Sequence, residues 1–411
     1  MFSRCFRGVF IAALVLTILA WAGASAGETQ GTATKGTTMA FKIAKSGTLV
    51  VEIEGVGADI ATHAWDKSGI ELRIEGLSDE MLKDLETSES GNTVRVKLHG
   101  DNGWRKSRGA RFEFSVPGEI NLDLGTSGGD IDVNGQMTGT VTLGTSGGDI
   151  AVEAVKGDVA AATSGGDIKI GTIQGKTDLK TSGGDVTVNE VVGDADVATS
   201  GGDIEVGNIK GELHAATAGG DITIGSVEKS VTASTAGGDV SVESVGGGAK
   251  LSTAGGDVIV GTVGGSTTLK TAGGDIKLDG ATGAVEAKTA GGDIECSKVS
   301  GSLRAATAGG DVYAELDPNG TLPNTLETQG GDITIVLPSG ANATIDATIK
   351  IRRGWGGDKE DWDIISDFPA ASHQKDAKLI TGRYVLGSGG AAVTLETVNG
   401  YIHIKKQAGA K

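Results

Sequence analysis

The tripeptide Gly-Gly-Asp recurs through the middle of this chain at an almost constant interval. Its aspartates are Asp130, Asp149, Asp167, Asp185, Asp203, Asp221, Asp239, Asp257, Asp275, Asp293, Asp311 and Asp332. Asp149 follows Asp130 by a step of 19, each of the next nine steps is 18, and the last step is 21. A fixed period of this length, held over a dozen units, is typical of a chain built from stacked repeats.

The unit at residues 199–216 shows the pattern within one period. Apolar side chains alternate along two short runs, 204–206 and 213–215, and Ile209 lies between them. A period of two is typical of half-buried strands. Two glycines precede the first run and single glycines at 207 and 211 lie between the runs, and at these corners we expect a positive φ or a tight bend. Helices are disfavoured, because each glycine costs a helix about 1 kcal/mol.

One such unit is too short to bury its own apolar side, so each unit must stack on its neighbours. A propeller blade needs about 40 residues, which excludes that alternative. The sequence therefore predicts an all-β, single-domain parallel β-solenoid, or β-helix, with one repeat period of about 18 residues in each regular coil. The apolar positions do not recur at every sixth position, as a left-handed hexapeptide helix requires. A right-handed coil is favoured, as it is for parallel crossovers in general.

The flanks divide the chain into further segments. We predict a signal peptide at 1–26, a flexible leader at 27–40, irregular β coils with a cap at 41–120, the regular solenoid at 121–340, and C-terminal coils with an aromatic capping loop at 341–411. A short capping helix is expected within 77–90, a strand at 341–352 and a long charged loop at 354–378. Residues 384–405 return to the repeat pattern.

The N-terminal segment, 1–26, has the features of a secretory signal. Arg4 and Arg7 precede an apolar stretch at 9–22, and Ala-Ser-Ala at 24–26 is a suitable cleavage site. We expect a mature chain that begins near Gly27 and is secreted, periplasmic or part of the cell envelope, and that is not an integral membrane protein. An uncleaved segment retained as an anchor is the alternative, although a span needs roughly 20 apolar residues.

The net charge limits the partners that this chain can bind, and the cysteine content limits how it can be stabilised. Cleavage removes two arginines and no acids, so the formal charge changes from −17 to −19. Such a chain is not expected to bind nucleic acid, because binding a polyphosphate requires a basic face. The mature chain keeps a single cysteine, Cys296, so its stability must come from packing and hydrogen bonds. Cys296 occupies a slot that holds Ile or Val elsewhere, and we expect it to be buried.

Three features together resemble a known family: the Gly-Asp-Ile/Val strand repeat, the opening Leu-Val-Val-Glu-Ile at 49–53, and Leu-Gly-Ser-Gly-Gly at 386–390 followed by Leu-Glu-Thr at 395–397. The chain is similar, over roughly 41–406, to the bacterial "putative adhesin" β-strand-repeat family, a domain of unknown function. The resemblance implies a solenoid and an adhesin-like or envelope scaffold. A surface glycan or an envelope protein is the partner we expect for such a scaffold.

Stacking would align the aspartates along one corner, about 4.8 Å apart. One interpretation is that each carboxylate accepts hydrogen bonds from backbone N–H groups in its turn. The other is a Ca²⁺ ladder along the regular coils, formed by Asp167, Asp185, Asp203, Asp221, Asp239, Asp257, Asp275 and Asp293. Calcium takes six to eight oxygens, and one carboxylate per coil falls short of that. No other cofactor is indicated.

The remaining polar groups favour structure over catalysis. The threonine that opens each unit is predicted to point inward, where stacked hydroxyls would hydrogen-bond one another. The histidines are scattered, and no nucleophile, base and acid occur at a catalytic spacing. We therefore expect no enzyme, and a polysaccharide-acting solenoid enzyme is the weaker alternative. The aromatic loop with Trp355, Trp362 and Phe368 is predicted either to cap the solenoid or to bind a glycan or protein.

Overall fold

The computed structural model describes residues 36–100, 109–318, 322–352 and 361–407. The N-terminal coils contain β1 (Thr37–Phe41), β2 (Gly47–Glu54), β3 (Ala58–Trp65), β4 (Ile70–Glu75), the 3-10 helix η1 (Met81–Lys83), β5 (Leu85–Ser90), β6 (Thr93–His99) and β7 (Ala110–Pro117). The C-terminal coils contain β32 (Ala343–Lys350), β33 (Ile364–Ser366), β34 (Ser372–Lys375), β35 (Leu379–Leu386), β36 (Ala391–Val398) and β37 (Ile402–Lys406).

The regular coils lie between these flanks, and each has one strand in each of two sheets. The first sheet takes β9 (Ile131–Thr138), β11 (Ile150–Lys156), β13 (Ile168–Ile173), β15 (Val186–Val191), β17 (Ile204–Ile209), β19 (Ile222–Val227), β21 (Val240–Val245), β23 (Val258–Val263), β25 (Ile276–Ala281), β27 (Ile294–Val299), β29 (Val312–Leu316) and β31 (Ile333–Leu337). The second sheet takes β8 (Ile120–Thr126), β10 (Val141–Gly144), β12 (Val159–Ala162), β14 (Thr177–Lys180), β16 (Ala195–Ala198), β18 (Leu213–Ala216), β20 (Val231–Ser234), β22 (Ala249–Ser252), β24 (Thr267–Lys270), β26 (Val285–Lys288), β28 (Leu303–Ala306) and β30 (Asn324–Glu327).

Every regular strand pairs in parallel with its equivalents in the coils before and after it. Ile204 on β17 lies opposite Val186 on one side and Ile222 on the other. Leu213 on β18 is held in the same way between Ala195 and Val231. The predicted parallel β-solenoid is confirmed, and its apolar columns fill the space between the two sheets. Burying one such Ile, Leu or Val contributes about 1.5–3 kcal/mol.

The two ends of the stack do not follow the order of the chain. The first coil, β2 and β3, lies between the β8–β9 coil and the later β6–β7 coil. At the other end, the last coil, β36 and β37, lies between the β30–β31 coil and the earlier β32–β33 coil. The chain therefore inserts its first and last coils into the stack and uses their sequence neighbours as the outermost layers.

Short strands cover most of the open sheet edges. β5 pairs antiparallel with β6, while β1 pairs antiparallel with β4, which pairs antiparallel with β7. At the C-terminal end, β34 pairs antiparallel with β35, and β35 with β32. All four residues of β34 are exposed and polar. Short, polar edge strands oppose further pairing by an edge that would otherwise template aggregation.

Three predictions about the flanks are wrong in detail. The capping helix expected within 77–90 is reduced to the single 3-10 turn η1, and the rest of the segment's regular structure is the strand β5, because pairing with β6 outweighs the helical spacing of a few apolar residues. The predicted leader extends to residue 40, whereas β1 begins at Thr37. The loop predicted at 354–378 contains β33 and β34. The strand expected at 341–352 is confirmed as β32.

Candidate functional site: the aspartate corner and the C-terminal end

The Gly-Gly-Asp turns form one corner of the solenoid, and their aspartates are joined by a continuous chain of hydrogen bonds. The backbone N–H of Asp221 donates to Oδ1 of Asp203 at 2.8 Å, and the N–H of Asp203 donates to Oδ1 of Asp185 at 2.8 Å. The same bond recurs at 2.7–2.9 Å from Asp149 through Asp332. Each carboxylate therefore holds the next coil, whereas the sequence predicted a bond within its own turn.

The chain of bonds extends one coil past the regular repeat at each end. The N–H of Asp130 donates to Oδ1 of Asp59 at 3.1 Å, and the N–H of Tyr401 donates to Oδ1 of Asp332 at 2.7 Å. Asp59 was missed in the sequence because its turn has Gly57-Ala58 in place of Gly-Gly, although Asp59-Ile60 keeps the repeat pattern. Tyr401 occupies the position of a repeat aspartate.

The buried threonines supply a second bond between coils. Oγ1 of Thr199 donates to the carbonyl oxygen of Gly184 at 2.9 Å and accepts the N–H of Gly202 at 3.3 Å. The inward direction is confirmed, since Thr199 is only 7% exposed. The prediction that the hydroxyls bond one another is wrong, because a backbone carbonyl of the preceding coil, of Ala58 for Thr126 and of a glycine in the later coils, lies within reach of each hydroxyl.

The second glycine of the turn is required by the neighbouring coil. A Cβ on Gly202 would lie 2.0 Å from the carbonyl oxygen of Gly184, while a Cβ on Gly201 would have 3.6 Å to its nearest neighbour. None of the described glycines in the Gly-Gly-Asp turns has a φ in the left-handed region. Of the two reasons expected for glycine at this corner, the tight bend is present and the positive φ is not, and close approach of stacked backbones is the further reason for glycine there.

The predicted calcium ladder lies on this corner. Its eight aspartates are brought into one row, and each uses Oδ1 to accept a backbone N–H. Within the described ranges, no group of three or more His, Cys, Asp or Glu side chains is placed to hold a metal ion. The row presents one carboxylate per coil, fewer oxygens than the six to eight that calcium takes. Calcium binding by this row stays a prediction.

The C-terminal end gathers part of the predicted aromatic site. Phe368 is buried, with Nζ of Lys406 5.1 Å from its ring centroid, and Trp362 packs partly buried against the core. Trp355 lies outside the described residues. These contacts are those expected of a cap, and ligand binding by this segment stays a prediction.

Asp363 ties the same end together. It accepts hydrogen bonds from its neighbour, the N–H of Ile364, and from Nζ of Lys375 at 3.1 Å, and His373 Nε2 lies 3.3 Å from Oδ1. Burial acts to raise the pKa of Asp363, but these hydrogen bonds and the charge of Lys375 outweigh it and hold the pKa below its usual value. This carboxylate therefore stays ionised and anchors β34 beside β33.

One pair of outward carboxylates lies close to the C-terminal end. Glu327 and Glu396 face outward from paired strands and line a cavity of about 150 Å³ with Lys350 and Arg352. Lys350 Nζ donates to Glu396, so two cations balance the two carboxylates.

Cys296 is fully buried as predicted, and burial together with nearby Glu295 raises its pKa to about 12, so the thiol is protonated at neutral pH. Among the described residues, no helix is long and apolar enough to cross a membrane.

Comparison with known proteins identifies a family and little else. The Toastrack DUF4097 family matches residues 49–244 and 225–405. A "putative adhesin" structure from Bacteroides fragilis is 20% identical, covers 59% of this chain and 97% of its own, and has a TM-score of 0.33. A "putative cell adhesion protein" from Clostridium sporogenes is 9% identical, covers 91% and 100%, and has a TM-score of 0.18. No curated protein matches the chain.

Proposed function

The chain belongs to the Toastrack DUF4097 family, a domain of unknown function, and from its geometry we propose that it is an exported, non-enzymatic scaffold of the cell envelope with an adhesin-like role. The observation that carries the proposal is the unbroken stack from the β6–β7 coil to the β32–β33 coil. At about 4.8 Å per coil, the stack forms a rod on the order of 70 Å long.

A stack of this kind suits a spacer or binding surface. Every coil touches only its neighbours, and each outward position recurs once per coil, so a repetitive partner such as a glycan meets a regularly spaced series of side chains. The corner bonds between aspartates, threonines and glycines repeat without a break through the regular coils, which leaves no hinge there. Export is supported by the basic start, apolar stretch and small-residue site within residues 1–26.

Expression of the full chain in a Gram-negative host tests export and shape together. We expect the protein in the periplasm, envelope or medium, with an N-terminus near Gly27, and a maximum dimension in small-angle X-ray scattering of at least about 70 Å. A cytoplasmic protein that keeps Met1 would contradict export. A compact particle would contradict the scaffold. Retention of purified protein on isolated envelopes, compared with heat-unfolded protein, tests the adhesive role.

A further inference from the structure

The outer face of the second sheet carries a concentrated positive charge on an otherwise acidic protein. Its four cations are Lys250 on β22, Lys270 on β24, Lys288 on β26 and Arg304 on β28. These strands are consecutive in the stack. Lys250, Lys270 and Arg304 are exposed, and Lys288 is half-buried. We call these four residues the basic patch.

The strand register brings the four cations together. Lys270 lies directly opposite Lys288, and Arg304 lies directly opposite Glu286, the one carboxylate within the patch. Like charges directly opposite each other destabilise a sheet, so the Lys270–Lys288 pair is a cost that the fold itself does not require. Lys288 donates to Glu286, and Lys288, Lys270 and Arg304 together hold the pKa of Glu286 below its usual value. One carboxylate thus leaves most of the positive charge uncompensated.

The outer face of the second sheet carries no such excess of positive charge in the preceding coils. On the six preceding strands, β10 to β20, its outward charged residues are Asp178, Lys180 and Asp196, with His214 beside them. The basic patch is therefore local to four coils. The whole chain, by contrast, has a formal charge of −17. At physiological salt the Debye length is about 8 Å, so charges on distant coils are largely screened at the patch. The nearest carboxylates outside it belong to the aspartate corner, which follows each of these strands after two glycines.

The corner beside the patch changes over the same coils. In the earlier coils this corner carries charged residues, at 156–158, 174–176, 210–212 and 228–230. In the coils of the patch it contains only Gly, Ser, Thr and Ala, at 246–248, 264–266, 282–284 and 300–302. Small side chains let a ligand approach the backbone closely, and their hydroxyl and peptide groups suit the hydroxyl groups of a sugar.

We propose that the basic patch and its small-residue corner bind an extended, carboxylate-bearing polysaccharide that runs along the stack. The proposal rests on the proposed function, because it names the class of envelope partner. Charge complementarity selects a polyanion. The outward residues of β22, β24, β26 and β28 include no aromatic ring on which a base could stack, which favours a glycan over single-stranded nucleic acid.

The test compares two quadruple variants of equal charge change. The patch variant is Lys250→Ala, Lys270→Ala, Lys288→Ala and Arg304→Ala; the control is Lys156→Ala, Lys176→Ala, Lys210→Ala and Lys229→Ala, at exposed positions of the earlier coils. Polygalacturonate is the probe and neutral dextran the blank, in affinity electrophoresis and calorimetry. We expect the patch variant to lose at least about tenfold in affinity and to flatten the salt dependence, with the control within about twofold of wild type.

The alternative outcomes are decisive. Equal loss in both variants would show a general charge effect and overturn the site, as would no binding of polygalacturonate by the wild type. Tighter binding of single-stranded DNA than of polygalacturonate would overturn the glycan assignment. Circular dichroism of both variants confirms that they fold. Failure here, with export and rod shape intact, removes this inference alone, while a cytoplasmic protein removes the proposed function.

Discussion

The regular coils and the end coils of this protein are stabilised in different ways. In the middle, each coil repeats the same threonine, glycine and aspartate contacts with the coil before it, as Thr199, Gly202 and Asp203 do with Gly184 and Asp185. At the ends, strands distant in sequence are brought together, as when β36 inserts between β30 and β32. The middle is thus a sum of local, interchangeable interfaces, whereas each end depends on one non-local insertion.

Removal of one regular coil, compared with removal of the last coil, tests this contrast most severely. Deletion of residues 204–221 joins Asp203 to Ile222 and preserves the repeat, so we expect a folded protein with nearly unchanged stability. Truncation after Gly390 removes β36 and β37, whose buried side chains contribute on the order of 10 kcal/mol. It also leaves β30 and β32 without their shared partner, so we expect the C-terminal coils to unfold.

Limited proteolysis with mass spectrometry distinguishes the two variants. Cleavage confined to the chain beyond Leu316 in the truncated protein, with the regular coils protected, is the expected pattern. If the truncated protein resists protease throughout while the coil deletion unfolds, the contrast between local and non-local stabilisation is wrong.

The paired glycines of a turn offer the next largest effect. Gly202→Ala places a Cβ 2.0 Å from the carbonyl oxygen of Gly184, which must push the two coils apart and should cost about 3 kcal/mol. Gly201→Ala meets its nearest atom at 3.6 Å and should change stability by less than about 1 kcal/mol. Urea unfolding of both variants measures the difference. Equal costs would indicate that backbone conformation, and not close approach, requires glycine at this corner.

Substitution of the buried hydroxyl should have a smaller effect. Thr199→Val removes the donor to the Gly184 carbonyl and the acceptor for the Gly202 N–H, both on buried residues, at a cost of about 2 kcal/mol. Thr199→Ser keeps the hydroxyl and should recover most of that loss. Thermal unfolding followed by circular dichroism compares the two. A valine variant as stable as wild type would mean that the threonine column acts through packing alone.

The repeat made much of the fold of the regular coils predictable from the sequence. Period, strand alternation and the inward threonine follow from side-chain identity at fixed spacing, and all three agree with the structure. The bonds made by the corner were harder to predict, because the partners of Asp203 lie in the coils before and after it and the partner of Thr199 lies in the coil before it, and only stacking distance selects them. The insertion of β2 and β36 leaves no local signal, since a strand with two buried neighbours has the same alternation wherever it lies in the stack.

The aspartate corner provides the smallest and last test. Asp203→Ala removes the acceptor of the Asp221 N–H at an exposed position and should cost about 1 kcal/mol. Asp203→Asn keeps Oδ1 and lowers repulsion along the row, so it should be at least as stable as wild type. With EDTA or millimolar Ca²⁺, the unfolding midpoint should not move in either variant or in wild type, because each coil offers one carboxylate whose Oδ1 already accepts a backbone N–H, and calcium takes six to eight oxygens. A calcium-dependent rise in wild type that is smaller in the Asn variant would instead make the carboxylates metal ligands and the rod calcium-regulated.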